Sequence, residues 1–331
     1  MSGGEILRRY TAGETDFHGI NLRNVQLNRA DLIGANFSEA DLQGADLVLA
    51  FLTRVNLRRA NLITARLSGA YLTQANLQAV KMADADLHGA NLQGADFRKA
   101  NLELATLLDA NLSGADMRGV NLQGADLRGA YLRGANFRHE KRAYDIANLR
   151  GVNLRGADLR GVDLTGADLT KADLRGANCS EAVLRGAKLT KANLTEAILD
   201  GAFLTEANLA GVNLYGASLI NAKIERAGLM DARMSDTNLA GAVMADVKLG
   251  KAHLVRANLT SVKLVRADLS RANLSQANLT KADLTDAYLA KTNLRNSSLN
   301  DSILTRVELS TTNLSGAQMK GAVMPNGDIH D

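Results

Sequence analysis

Ala167-Asp168-Leu169-Thr170-Lys171-Ala172-Asp173-Leu174-Arg175-Gly176 is a single five-residue pattern written twice. Around its central leucine, each copy carries a small residue two positions before and Asp or Asn one before. A variable residue and, frequently, Gly follow. Moving outward from this stretch, centres recur every five positions from Phe17 to Phe137, 25 in all, and again from Leu149 to Met324, 36 in all. A period of five fits neither the 3.6 of a helix nor the 2 of a strand, so each unit is predicted to be a short extended piece followed by a turn. Four such pieces set at right angles close a square.

The phenylalanine centres test that number. Phe17, Phe37, Phe97 and Phe137 are separated by 20, 60 and 40 residues, all multiples of twenty. Four units per coil would therefore place all four on one side. There they would stack at the strand spacing of about 4.8 Å.

From Thr15 to Met324 the unit resembles the pentapeptide-repeat family. The segment Arg9-Tyr10-Thr11-Ala12-Gly13-Glu14-Thr15-Asp16-Phe17 and the ending Met324-Pro325-Asn326-Gly327-Asp328-Ile329-His330 are similar to cyanobacterial members. The resemblance implies an all-β fold, a right-handed quadrilateral β-helix, with the centre and the small residue inside and the other three positions facing solvent. Gly two after the centre suits a turn that needs positive φ.

Ile6, Leu7 and Tyr10 share one face of a short helix that would cap the open end of the stack, with Glu5 near its positive terminus. The expected organisation is a cap at 1–14, a first repeat block at 15–139, a loop at 140–146, a second block at 147–324 and a tail at 325–331. All of it forms one continuous domain, because repeats stack into a single body. The loop shifts the phase of the pattern, so the relation of faces across it is not fixed by the sequence. After Leu289 the inward small position changes to Thr292, Ser297, Ser302 and Thr312, whose hydroxyls can bond to backbone.

Composition narrows the function. The chain of 331 residues is 46% apolar but only 4% aromatic, has no Trp and carries a formal charge of +4 from 39 basic and 35 acidic residues. That is a layered core of Leu and Ala under a mixed surface, with weak attraction to nucleic acid or anionic membrane at most. The lone Cys179 excludes an internal disulfide. No apolar run is long enough to span a membrane or to act as a signal peptide, so the expected location is the cytoplasm. His18, His88, His139, His253 and His330 are scattered without metal-ligand spacing, and no phosphate loop or nucleophile motif occurs. Neither catalysis, a metal nor a cofactor is expected.

Function is therefore sought on the faces, where the outward position before the centre departs from Asp or Asn. Val183, Phe203, Val243, Ile303 and Val323 fall on one face at multiples of twenty, and Val265 lies beside them. Phe51, Tyr71 and Tyr131 form a second series, an aromatic ladder. Lys171, Lys191, Lys251, Arg271 and Lys291 sit two after a centre on one corner, with Lys188 and Lys248 on the adjoining face. The reading is a non-catalytic, rod-like scaffold binding a protein partner through the Val183–Val323 strip. Its alternative is a nucleic-acid or anionic-surface binder using the basic corner. Some family members are strongly acidic dimers that mimic DNA toward a type II topoisomerase, which fits this chain less well because no face is uniformly acidic. Monomer and end-to-end or face-to-face dimer stay equally open.

Overall fold

A computed structural model describes residues 1–139 and 145–331. Residues 140–144, most of the expected loop, lie outside the described residues. The chain divides into two compact units, Met1–Ala172 and Asp173–Asp331.

In the first unit, the helix α1 (Gly3–Thr11) begins at Ser2, whose hydroxyl accepts the Glu5 amide at 3.3 Å. Ile6 is fully buried. Gly3 lies so close to the first coil that a Cβ there would stand 2.0 Å from the Gln26 carbonyl oxygen. Toward the other end of the helix, the Tyr10 hydroxyl donates to the Ile33 carbonyl at 2.8 Å. The helix supplies apolar cover and hydrogen bonds to an end that would otherwise expose its layer.

Beyond α1, outward residues of the repeats bridge in parallel to the residue twenty later, as from Asp16 to Asn36 and from Asn36 to Asn56 in the first unit and from Val183 to Phe203 in the second. Each coil therefore contains four units. The four phenylalanines share a column and are at most 2% exposed, with the Phe17 and Phe37 rings stacked at 5.1 Å. Across the loop the spacing becomes 27, from Asn121 to Asn148 and from Asn136 to Asp163, and returns to twenty from Asn148 to Asp168. The seven extra residues thus replace no unit, and the faces keep their register through the insertion.

The position two after the centre takes φ near +60° whether or not it is Gly, as at Thr64 (φ 58), Leu104 (φ 58) and Lys251 (φ 59). The turn, not the residue, dictates this conformation, and the Asx side chain before the centre helps to hold it. Asn21 Oδ1, for example, accepts the Arg23 amide at 3.2 Å. Asparagines also link successive coils, with Asn56 Nδ2 donating to Asn36 Oδ1 at 2.9 Å. The Asp and Asn ladders thus serve the backbone and their neighbours.

In the second unit the same ladders continue. The buried hydroxyl of Thr292 donates to Leu269 O at 2.7 Å and that of Ser297 to Leu294 O at 2.7 Å, while Thr237 does the same toward Leu214 O at 2.9 Å. Ser302 Oγ is buried without a partner among the described residues. The last centres, Leu309, Leu314, Met319 and Met324, are only half-buried. The expected tail folds back: Ile329 pairs antiparallel with Val323, and the His330 amide donates to Ala322 O at 2.8 Å. Gly327, at φ 94, makes the reversal possible.

Candidate docking faces

The strip lies wholly in the second unit. Parallel bridges run from Val183 through Phe203, Lys223, Val243, Lys263, Asp283 and Ile303 to Val323. Val183 and Phe203 are therefore direct neighbours, as are Ile303 and Val323, whereas Val243 stands between two lysines. Ile303 is exposed, and Val183, Phe203, Val243, Val265 and Val323 are half-buried. Phe203 is already engaged from both sides, with Lys223 Nζ 4.8 Å and the Arg185 guanidinium carbon 5.8 Å from its ring centre. The returning Ile329, 69% exposed, lengthens the strip beyond Val323. Reading residues 325–331 as a simple tail hid it.

The corner beside this strip is a charge ladder. Arg226 pairs with Glu206 at 2.9 Å, Arg266 with Asp246 at 2.7 Å and Arg306 with Asp286 at 2.6 Å, each across one coil. The guanidinium hydrogen bonds hold the Asp246 and Asp286 carboxyls below the usual carboxylate range.

The basic corner is more broken than the sequence suggested. In the second unit, Gly211 and Asp231 occupy the coils between Lys191 and Lys251, so Lys191 stands apart. Lys251, Arg271 and Lys291 occupy successive coils, their register fixed by the Lys251 amide on Ser270 O and the Arg271 amide on Ala290 O, each 2.9 Å. Lys188 and Lys248 share the adjoining outward column with Asn208 and Gly228 between them. Lys171 belongs to the first unit, where it is exposed.

Within the first unit, Phe51 and Tyr71 stack at 5.1 Å with their planes 3° apart. Tyr131 shares their column, but Asn91 and Asn111 intervene. Sequence reasoning missed Ile33 and Leu49, each exposed, the latter lying across Gly69 beside the stacked pair. An apolar residue at a corner position, where Gly and polar residues prevail, was the available signal. Several arginines of this unit are neutralised from within: Arg128 pairs with Asp126 and Arg160 with Asp158, each at 2.6 Å.

The family model for pentapeptide repeats (8 copies) matches residues 13–107, 110–139 and 147–326 in overlapping segments. The chain belongs to the pentapeptide-repeat family. Among solved members, HetL, involved in heterocyst differentiation regulation in the cyanobacterium Nostoc sp. strain PCC 7120, is 31% identical over 100% of both chains, with a TM-score of 0.25. Rfr23 from the cyanobacterium Cyanothece 51142 is 34% identical over 32% of this chain and 63% of its own, with a TM-score of 0.14. Full-length QnrB1, a plasmid-mediated fluoroquinolone resistance protein, is 16% identical over 69% of this chain and 93% of its own, with a TM-score of 0.27. No curated protein matches the chain. Among the described residues, no helix of this pentapeptide-repeat protein is long and apolar enough to cross a membrane.

Proposed function

We propose that the protein is a non-catalytic cytoplasmic scaffold, a right-handed quadrilateral β-helix that docks a protein partner on the face bearing Val183, Phe203, Val243, Val265, Ile303 and Val323. The right-handed winding follows the strong preference of parallel strand connections for that sense. The observation carrying the docking assignment is the unbroken bridge column from Val183 to Val323, which aligns Val183, Phe203, Val243, Ile303 and Val323, with Val265 just after the centre beside it. Apolar residues aligned among charges commonly mark an interface. The internally paired corner beside the strip supplies a polar rim of the kind interfaces use. Phe203 is the anchor, because a large ring contributes disproportionately to binding and the flanking Lys223 and Arg185 stems extend the apolar area around it.

Capture of partners from the native host by immobilised protein, identified by mass spectrometry, tests this reading. Phe203→Glu with Val243→Glu is expected to lose a partner that the unaltered chain captures, with a melting temperature changed by no more than a few degrees. The same partner retained by that folded double variant places the interface elsewhere.

A further inference from the structure

The corner of the second unit that carries Lys251, Arg271 and Lys291 differs from the corner beside the strip in one physical respect. Along the latter, signs alternate coil by coil through Glu206, Arg226, Asp246, Arg266, Asp286 and Arg306, and each arginine is paired. Along the former, three cations succeed one another with no ion-pair partner among the described residues, each exposed. Like charges on adjacent strands repel. At about 4.8 Å per coil, the first and third backbone positions are only about 10 Å apart.

The side chains beside this column recede. Gly250, Ser270 and Ala290 floor a groove of about 440 Å³ whose edge is the cation column. Met230, 48% exposed, closes one end, and the Tyr288 ring, 58% exposed, stands at the opposite wall. Of the groove's lining residues, Asp268 is the one acid, and it is occupied by the Ser270 amide at 2.9 Å. Lys248 precedes Asp268 in the same column and adds a further positive charge nearby.

We infer that this groove is a binding site for a compact polyphosphate, the di- or triphosphate group of a nucleotide or of free polyphosphate. Three flexible cationic stems rooted within about 10 Å can converge on a few adjacent phosphates. Bound there, the anion removes their mutual repulsion. A duplex, with one charge per about 1.7 Å of axis, would require a much longer cationic track than these three coils supply. Tyr288 and Met230 offer a flat ring and a polarisable thioether on which an attached base can rest. The inference is independent of the partner strip, since none of the groove residues belongs to it.

Titration calorimetry of the full chain with tripolyphosphate and with ATP, at low and physiological salt, tests it. Both probes are expected to bind, more weakly as salt rises. Arg271→Glu is the informative variant, because it converts the column into the alternating order found at the neighbouring corner. Its melting temperature should hold or rise while affinity falls by about tenfold or more, so that loss of binding cannot be ascribed to unfolding. Lys251→Gln with Lys291→Gln should give a similar loss, and Lys223→Gln with Lys263→Gln, on the strip, none. ATP binding no tighter than tripolyphosphate assigns the site to free polyphosphate. Tighter ATP binding that Tyr288→Ala brings back to the tripolyphosphate level assigns it to a nucleotide. No binding of either probe at low salt, equal affinity in the Arg271→Glu variant, or a single-stranded oligonucleotide outcompeting both probes would overturn the inference.

Discussion

Ser302 shows how much one hydroxyl can matter in a layer otherwise built from Ala and Leu. Its Oγ is buried with no partner among the described residues, while Thr292 and Ser297 at equivalent positions each reach a backbone carbonyl. An unsatisfied buried hydroxyl costs about 1–3 kcal/mol. Ser302→Ala, the residue that the repeat uses most often here, is therefore expected to raise the urea midpoint, whereas Thr292→Ala should lower or leave it. Chemical denaturation of the two variants checks both signs. The inward hydroxyls were legible in the sequence, because they replace Ala at a fixed phase. Their bonds were not: whether Oγ finds a carbonyl depends on its rotamer, which the γ-methyl of Thr restricts and Ser leaves free.

The element that matters is the corner, where two charge arrangements share one backbone turn. The Asp126, Asp158, Asp246 and Asp286 carboxyls are held below their ordinary range, first of all by hydrogen bonds from the guanidinium groups of Arg128, Arg160, Arg266 and Arg306. A depressed folded-state pKa stabilises the fold at pH values above the unfolded value, about 3.9, and this contribution disappears as pH falls through the folded values. Stability is thus expected to stay nearly level from pH 8 to 5 and to decline below about pH 4, with added salt shrinking the effect because the pairs are exposed. Melting curves across that range, at low and high salt, measure it.

Sequence spacing placed these residues on the right columns but said less about pairing. The offset of two in Asp158 and Arg160 and of twenty in Asp246 and Arg266 produce similar bridges, because the corner brings both separations together. The same spacing grouped Lys191 with Lys251, and only the intervening Gly211 and Asp231 show that the cations form a shorter cluster. Phe51 and Tyr71 stack as neighbours should, while the Leu49 side chain, in the turn just before Phe51, lies over Gly69.

At the scale of the molecule, function is a matter of register. The fold was legible almost throughout, since a fixed period specifies inside and outside at every unit. The loop was the exception, because an insertion of seven residues, which moves the phase by two, can replace one unit or none. The bridge from Asn121 to Asn148, at a spacing of 27, shows that it replaces none. The central claim is that a partner reads one column of the twenty-residue coil, and deletion of whole repeats tests it most directly.

Removing residues 209–228, one full coil, brings Val243 directly after Phe203 on the same face. Removing residues 209–213, one unit, leaves the centres inside but turns everything beyond by one face. Partner capture by these two deletion variants, with far-UV spectra confirming that both fold, is the decisive measurement. The full-coil deletion is expected to keep the partner and the single-unit deletion to lose it. Equal capture by both folded variants would contradict the claim that the aligned face is what the partner reads.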